Sequence, residues 1–129
     1  MQTVVVVAAF SALTAVMLGA FGAHGLKGVL SASELNTFDI AVRYQMYHGL
    51  AMLVLPALTS VVARPWLRRV AIAFGVGIVL FSGSLYLLVL TGNKWFGPVT
   101  PMGGVAFMVG WVLLLVGAAR HTGAGVHHD

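Results

Sequence analysis

The chain has 129 residues, of which 60% are hydrophobic and only 8% charged. Soluble domains carry roughly a quarter charged residues, so this sequence cannot cover a water-facing surface, and its length suits a single domain, 1–129. It contains no cysteine, which excludes disulfides, thiolate metal sites and cysteine nucleophiles. The net charge of +4 comes from seven basic residues standing between apolar runs. Basic residues so placed flank membrane spans and orient them; they form no basic stripe of the kind nucleic acid requires.

Four stretches, 1–26, 44–63, 70–93 and 95–119, lack Lys, Arg, Asp and Glu. Each reaches the roughly 20 residues with which a helix crosses hydrocarbon. Barrel strands would be short and alternating, and runs such as LYLLVL are neither. The predicted fold is all-α, an integral membrane bundle of four transmembrane helices spanning 3–23, 44–63, 70–91 and 99–119.

The first span has no basic leader and is followed by three more, so it is expected to stay in the protein rather than act as a signal peptide. Small residues recur along it at Ser11, Ala15, Gly19 and Ala23. His24 and Lys27 follow it. Ser31-Ala-Ser-Glu34 has the form of a capping box and predicts that the second helix starts near Ala32, with an amphipathic first part ahead of the span. Asp39, Arg43 and Tyr47 then fall on one side of that helix, with Asp39 and Arg43 placed to pair. Tyr44 and His48 form a second pair four residues apart, and Gln45 stands between them. Pro56 cannot bond the carbonyl of Met52 and is expected to kink the helix; Arg64-Pro65 is expected to end it.

Ser82, Gly83, Ser84 and Tyr86 mark the third span, where hydroxyls serve as interhelical hydrogen bonds. Gly92-Asn93 breaks it. Thr100-Pro101 offers a capping hydroxyl before a proline at the first helical position. On the fourth span Gly103, Gly110 and Gly117 repeat every seven residues, with Ala106 between. Such stripes let helix backbones approach closely, either within the bundle or in a homo-oligomer or larger membrane complex. No repeat relates the first pair of spans to the second, so an inverted-repeat transporter has no support.

An even number of spans puts both termini on one side. That side holds Arg64, Arg68, Arg69 and Arg120, against Lys27, Arg43 and Lys94 on the other. The count predicts cytoplasmic termini.

His24, Lys27, Asp39, Arg43, Tyr44, Gln45, Tyr47, His48, Ser82 and Tyr86 form the candidate polar cluster. His48 lies five residues further in than Arg43, about 7–8 Å at 1.5 Å per residue. A histidine there faces the bundle or a water pocket, either as a neutral imidazole tying helices together or as a proton relay or ligand group. His24 and His48 are expected on facing surfaces of the first two helices, but two histidines are too few for a closed zinc site. No metal or other cofactor is expected. His121, His127 and His128 read as a frayed tail. No nucleophile–base pair, phosphate loop or carboxylate pair is present, so no enzyme is expected, and the bilayer is the expected partner.

The runs GAFGAHGLK (19–27), AVRYQMYHGLAML (41–53), FSGSLYLL (81–88) and TPMGG (100–104), with Trp111, resemble the bacterial membrane family catalogued as domain of unknown function 423, the YgdD-like proteins. The resemblance runs through all four spans in order. It implies a small inner-membrane protein of four helices and supplies no catalytic assignment, although His24, Tyr44, Gln45 and His48 stand inside its motifs. A structural, membrane-stabilising or accessory role is the leading expectation. The alternative is a small transporter or channel-like protein moving protons or a small solute past His48.

Overall fold

A computed structural model describes residues 1–126, with side chains through His121. The described chain is helical, with a single isolated bridge, Lys27 to Leu30, and no strand. Helix α1 runs Gln2–His24 and α2 runs Ala32–Val54, continuing as a 3-10 turn over Leu55–Leu58. Helix α3 (Arg64–Gly77), a π-helical turn (Ile78–Ser82) and α4 (Gly83–Thr91) form one unbroken third rod. A 3-10 turn over Lys94–Phe96 leads into α5, Val99–Val126. Three of these, Gln2–His24, Arg64–Thr91 and Lys94–His121, are long and apolar enough to cross a membrane. The rod containing α2 is not, because the polar residues of the second motif fall within it.

The ends of the rods follow from their local chemistry. Ser31 caps α2 by accepting the Glu34 amide at 3.1 Å, and the Glu34 carboxylate accepts the Ser31 amide at 2.9 Å. This reciprocal pairing satisfies two donors that the first turn would leave orphaned. Bonding to Ser31 holds the Glu34 carboxyl below its ordinary range. At Pro56, where the sequence predicts a kink, the α-helix has already stopped. Pro56 has no N–H for the carbonyl of Met52, so Leu55, three residues on, donates to it and the turn tightens to 3-10.

Two expected boundaries move. Arg64-Pro65 does not end the second helix; it opens α3, with proline in the first turn, where its missing donor costs nothing. Arg64, Arg68 and Arg69 are therefore helical rather than in a loop, and the connection is 59–63. Thr100 does not cap the fourth helix, which already begins at Val99. Its hydroxyl instead meets that of Ser84 on the third rod. Gly92 ends α4 in the left-handed conformation, at φ +70, where a side chain would be strained.

α1 packs antiparallel on α2, and α5 packs antiparallel on the third rod, with α2 in contact with both α1 and the third rod. Ala8, Ser11, Ala15 and Gly22 carry the buried seam of α1. Ala23, expected on that seam, is exposed, because a 3.6-residue helix drifts away from a strict four-residue repeat and Gly22 takes the place. Gly103, Gly110 and Gly117 are all buried against the third rod.

Candidate functional site: a polar joint between the helices

Gln45 sits at the meeting of three rods and is 5% exposed. Its amide nitrogen donates to the Ser11 carbonyl (2.8 Å) and to the Thr14 hydroxyl (2.7 Å), both on α1. Its amide oxygen accepts the Tyr86 hydroxyl from α4 at 2.7 Å. The orientation of the amide is fixed chemically, since the Ser11 carbonyl can only accept. One side chain thus ties α1, α2 and the third rod together.

His48, also 5% exposed, lies three residues along α2, turned about 60° round the helix, and meets different neighbours. The Trp111 indole N–H of α5 points at its Nε2 at 3.1 Å, and its Nδ1 is 2.8 Å from the Tyr44 carbonyl. An indole can only donate, so Nε2 is the acceptor and the proton resides on Nδ1, which donates to Tyr44. Both ring nitrogens are engaged by a neutral imidazole. The ring stacks on Phe107 with centroids 3.6 Å apart and 11° between planes, and meets Phe74 edge-on at 5.2 Å. Aromatic side chains thus enclose it from α3 and α5.

The third joint is the π-helical turn. Ser82, fully buried, donates to the Ala41 carbonyl of α2 at 2.7 Å. An extra residue in the turn pushes the backbone of Leu80 and Phe81 outward, and Gly103 of α5 receives it: a Cβ there would overlap the Phe81 backbone. Among the described residues no buried side-chain nitrogen or oxygen lacks a partner.

The structure divides the sequence-predicted cluster rather than assembling it. Gln45 and Tyr86 meet, Ser82 joins α2 separately, and His48 joins α5. Asp39 and Arg43 pair at 2.8 Å on the outer face of α2, at 49% and 63% side-chain exposure. Tyr47 is exposed beside them, stacking obliquely against Tyr44. His24 and Lys27 are exposed near the end of α1. His24 does not face His48: the His48 ring is turned towards α3 and α5, away from α1. His121 is exposed, and His127 and His128 lie outside the described residues. The sequence reading passes over Thr14, Phe74 and Phe107. A large ring at Phe107, midway between Gly103 and Gly110, is the signal of a knob between two holes.

Two recesses flank the joint. One, about 340 Å³, opens between α1 and the third rod over Gln45 and Tyr86, with Phe10, Gly75 and Val79 in its walls. The other, about 250 Å³, lies between α1 and α2 by Gly19, Lys27, Phe38 and Asp39. His48 lines neither.

The family model described as protein of unknown function (DUF423) matches residues 18–104. This chain belongs to the DUF423 family. Among DUF423-type relatives, the UPF0382 inner membrane protein YgdD of Escherichia coli is 42% identical over 122 residues, covering 95% of this chain and 93% of its own length. The UPF0382 membrane protein YwdK of Bacillus subtilis is 41% identical, covering 94% and 99%. A UPF0382 membrane protein of Staphylococcus aureus is 42% identical, covering 95% and 100%. No solved structure matches. Of the joint residues, Gln45, His48, Ser82, Tyr86 and Gly103 lie inside the matched DUF423 segment, and Trp111 beyond it.

Proposed function

We propose that this DUF423 chain crosses the bacterial inner membrane four times, with α2 and its 3-10 continuation as the fourth span, and serves there as a non-enzymatic structural or accessory component. Residues 32–58 would extend about 40 Å as a helix, more than the hydrocarbon thickness. The polar side chains that lower the hydropathy of α2 are largely turned inward: Gln45 and His48 are buried, and Asp39 neutralises Arg43. The observation that carries the functional reading is the saturation of His48. A proton relay needs a nitrogen free to accept or release a proton towards a path. Here Nε2 holds the Trp111 donor and Nδ1 the Tyr44 carbonyl.

The test is paired. His48→Ala leaves the Trp111 donor without its acceptor and should cost ~1–3 kcal/mol of stability in detergent. His48→Gln keeps an acceptor and a donor and should recover much of that. Neither variant should change the collapse of a pH gradient in proteoliposomes. Proton flux that the parent supports and both variants lose, with unchanged melting, would replace this reading with a transporter.

The proposed orientation has both termini in the cytoplasm, from the arginines gathered at the end where α3 begins and α5 closes. Since the chain has no cysteine, single cysteines at Val29 and Ser60, both exposed, can be probed in intact cells with an impermeant maleimide. Only the first should label; the opposite pattern inverts the topology.

A further inference from the structure

The end of the bundle where α3 begins carries a concentration of positive charge that nothing in the described chain balances. Arg64, Arg68 and Arg69 occupy the first two turns of α3, and Arg120 lies on α5; all four are exposed. The sequence has three acidic residues. Glu34 is held in the capping box of α2 and Asp39 by Arg43, both towards the opposite end, and Asp129 lies outside the described residues. Arg64 and Arg68 are also one helical turn apart, where like charges repel.

The arrangement is built rather than scattered. Trp66 docks on α5 at Gly117, where an added Cβ would lie 3.1 Å from the Trp66 Cβ. That contact brings two guanidiniums from different helices to one indole: Arg69 lies 5.4 Å and Arg120 5.6 Å from the ring centroid. Guanidiniums held against an aromatic face keep their N–H edges free, and those edges match the oxygens of a phosphate in a bidentate way. The first turn of α3 adds to the field, because its N-terminal dipole end is positive and the turn contains no acidic residue.

We infer that this arginine face, organised by Trp66, is a binding site for the headgroup of an anionic phospholipid, best filled by one carrying two phosphates. The occupant follows from charge and position. Four cations with no carboxylate beside them among the described residues call for more than one anionic group, and a patch at the end of membrane-crossing helices lies at the level of lipid phosphates. The inference rests on the proposed membrane-spanning arrangement, which the cysteine labelling tests independently.

The experiment uses the full chain in mild detergent, exposed to equal amounts of phosphatidylcholine, phosphatidylglycerol and cardiolipin, with retained lipid read by native mass spectrometry. Cardiolipin should be retained first and phosphatidylcholine least. Arg69→Gln with Arg120→Gln should weaken cardiolipin retention roughly tenfold or more, given the usual contribution of each basic residue near an anionic surface. Lys94→Gln, at the opposite end, should not. Should the double variant fail to fold, the parent decides: added salt and inorganic phosphate should both displace the lipid. Equal retention of all three lipids overturns the inference, as does an equal loss in the Lys94 variant. Unselective lipid retention together with arginine-dependent binding of polyglutamate would also overturn it, marking the face as a dock for an acidic protein.

Discussion

The two helix pairs of this protein solve the same problem differently. Between α1 and α2 small side chains meet at Gly49 and Ser11, the Phe38 ring fills the space at Gly22, and the register is pinned by the Gln45 amide. Between the third rod and α5 the register is set by shape: Phe74, Trp66 and the backbone at Phe81 fill the spaces at Gly110, Gly117 and Gly103, while Phe107 fills the space at Gly77. In lipid there is no hydrophobic force to bring helices together, so association depends on dispersion contacts and hydrogen bonds. One pair relies more on each. The lesson is that a glycine is worth most where backbone meets backbone, and less where a small side chain lies opposite.

The largest effect should come from Gly103→Ala. Its new methyl group would overlap the Leu80–Phe81 backbone, which cannot rotate away, so the loss should be roughly 3 kcal/mol or more, beyond ordinary overpacking. Gly49→Ala tests the other seam. Its Cβ would lie 3.2 Å from the Ser11 Cβ, a few tenths of an ångström too close, and should cost about 1 kcal/mol or less. Melting curves in one detergent compare the two directly. Equal losses would erase the distinction between the pairs.

Gln45→Leu sharpens the comparison from the other side. It removes the interhelical bonds to Ser11, Thr14 and Tyr86 and leaves the Tyr86 hydroxyl unpaired, for an expected loss of about 2 kcal/mol. Hydrogen exchange should rise along α1 and α2 far more than along α5. Uniform acceleration would show that the joint locks the whole bundle rather than one pair.

The smallest effect lies outside both seams, at the capping box. Glu34 is bound as the carboxylate, so its pKa is lowered on folding by the Ser31 bonds. Its contribution is complete above the unfolded pKa and disappears as pH falls through the lowered folded value. The stability advantage of the parent over Glu34→Gln should therefore shrink on acidification through that window and be flat near neutrality. An advantage that grows in acid would contradict the box.

Much of this was legible because the signals are local. The capping box, the left-handed stop at Gly92 and the glycine heptad of α5 each depend on residues within a turn or two of one another. The boundary at Arg64 was misplaced because proline ends one helix and begins the next with equal ease, and only the capped carbonyl of Met52 shows that α2 had already stopped. The polar cluster misled for a related reason. Periodicity places Asp39, Arg43, Gln45 and His48 along α2 without saying which neighbour each face meets.

The sequence by itself determined that the chain is helical and membrane-borne, because a chain this poor in charge cannot satisfy a water-facing surface and must close its backbone bonds within each segment. Only the tertiary structure decided that Gln45 turns to α1 and α4 while His48 turns to α5, and that Arg69 and Arg120 converge on Trp66. Those pairings join residues up to 63 positions apart. They are fixed by how the rods rotate against one another once aromatic rings have entered the glycine spaces, and no pattern along a single helix contains that rotation.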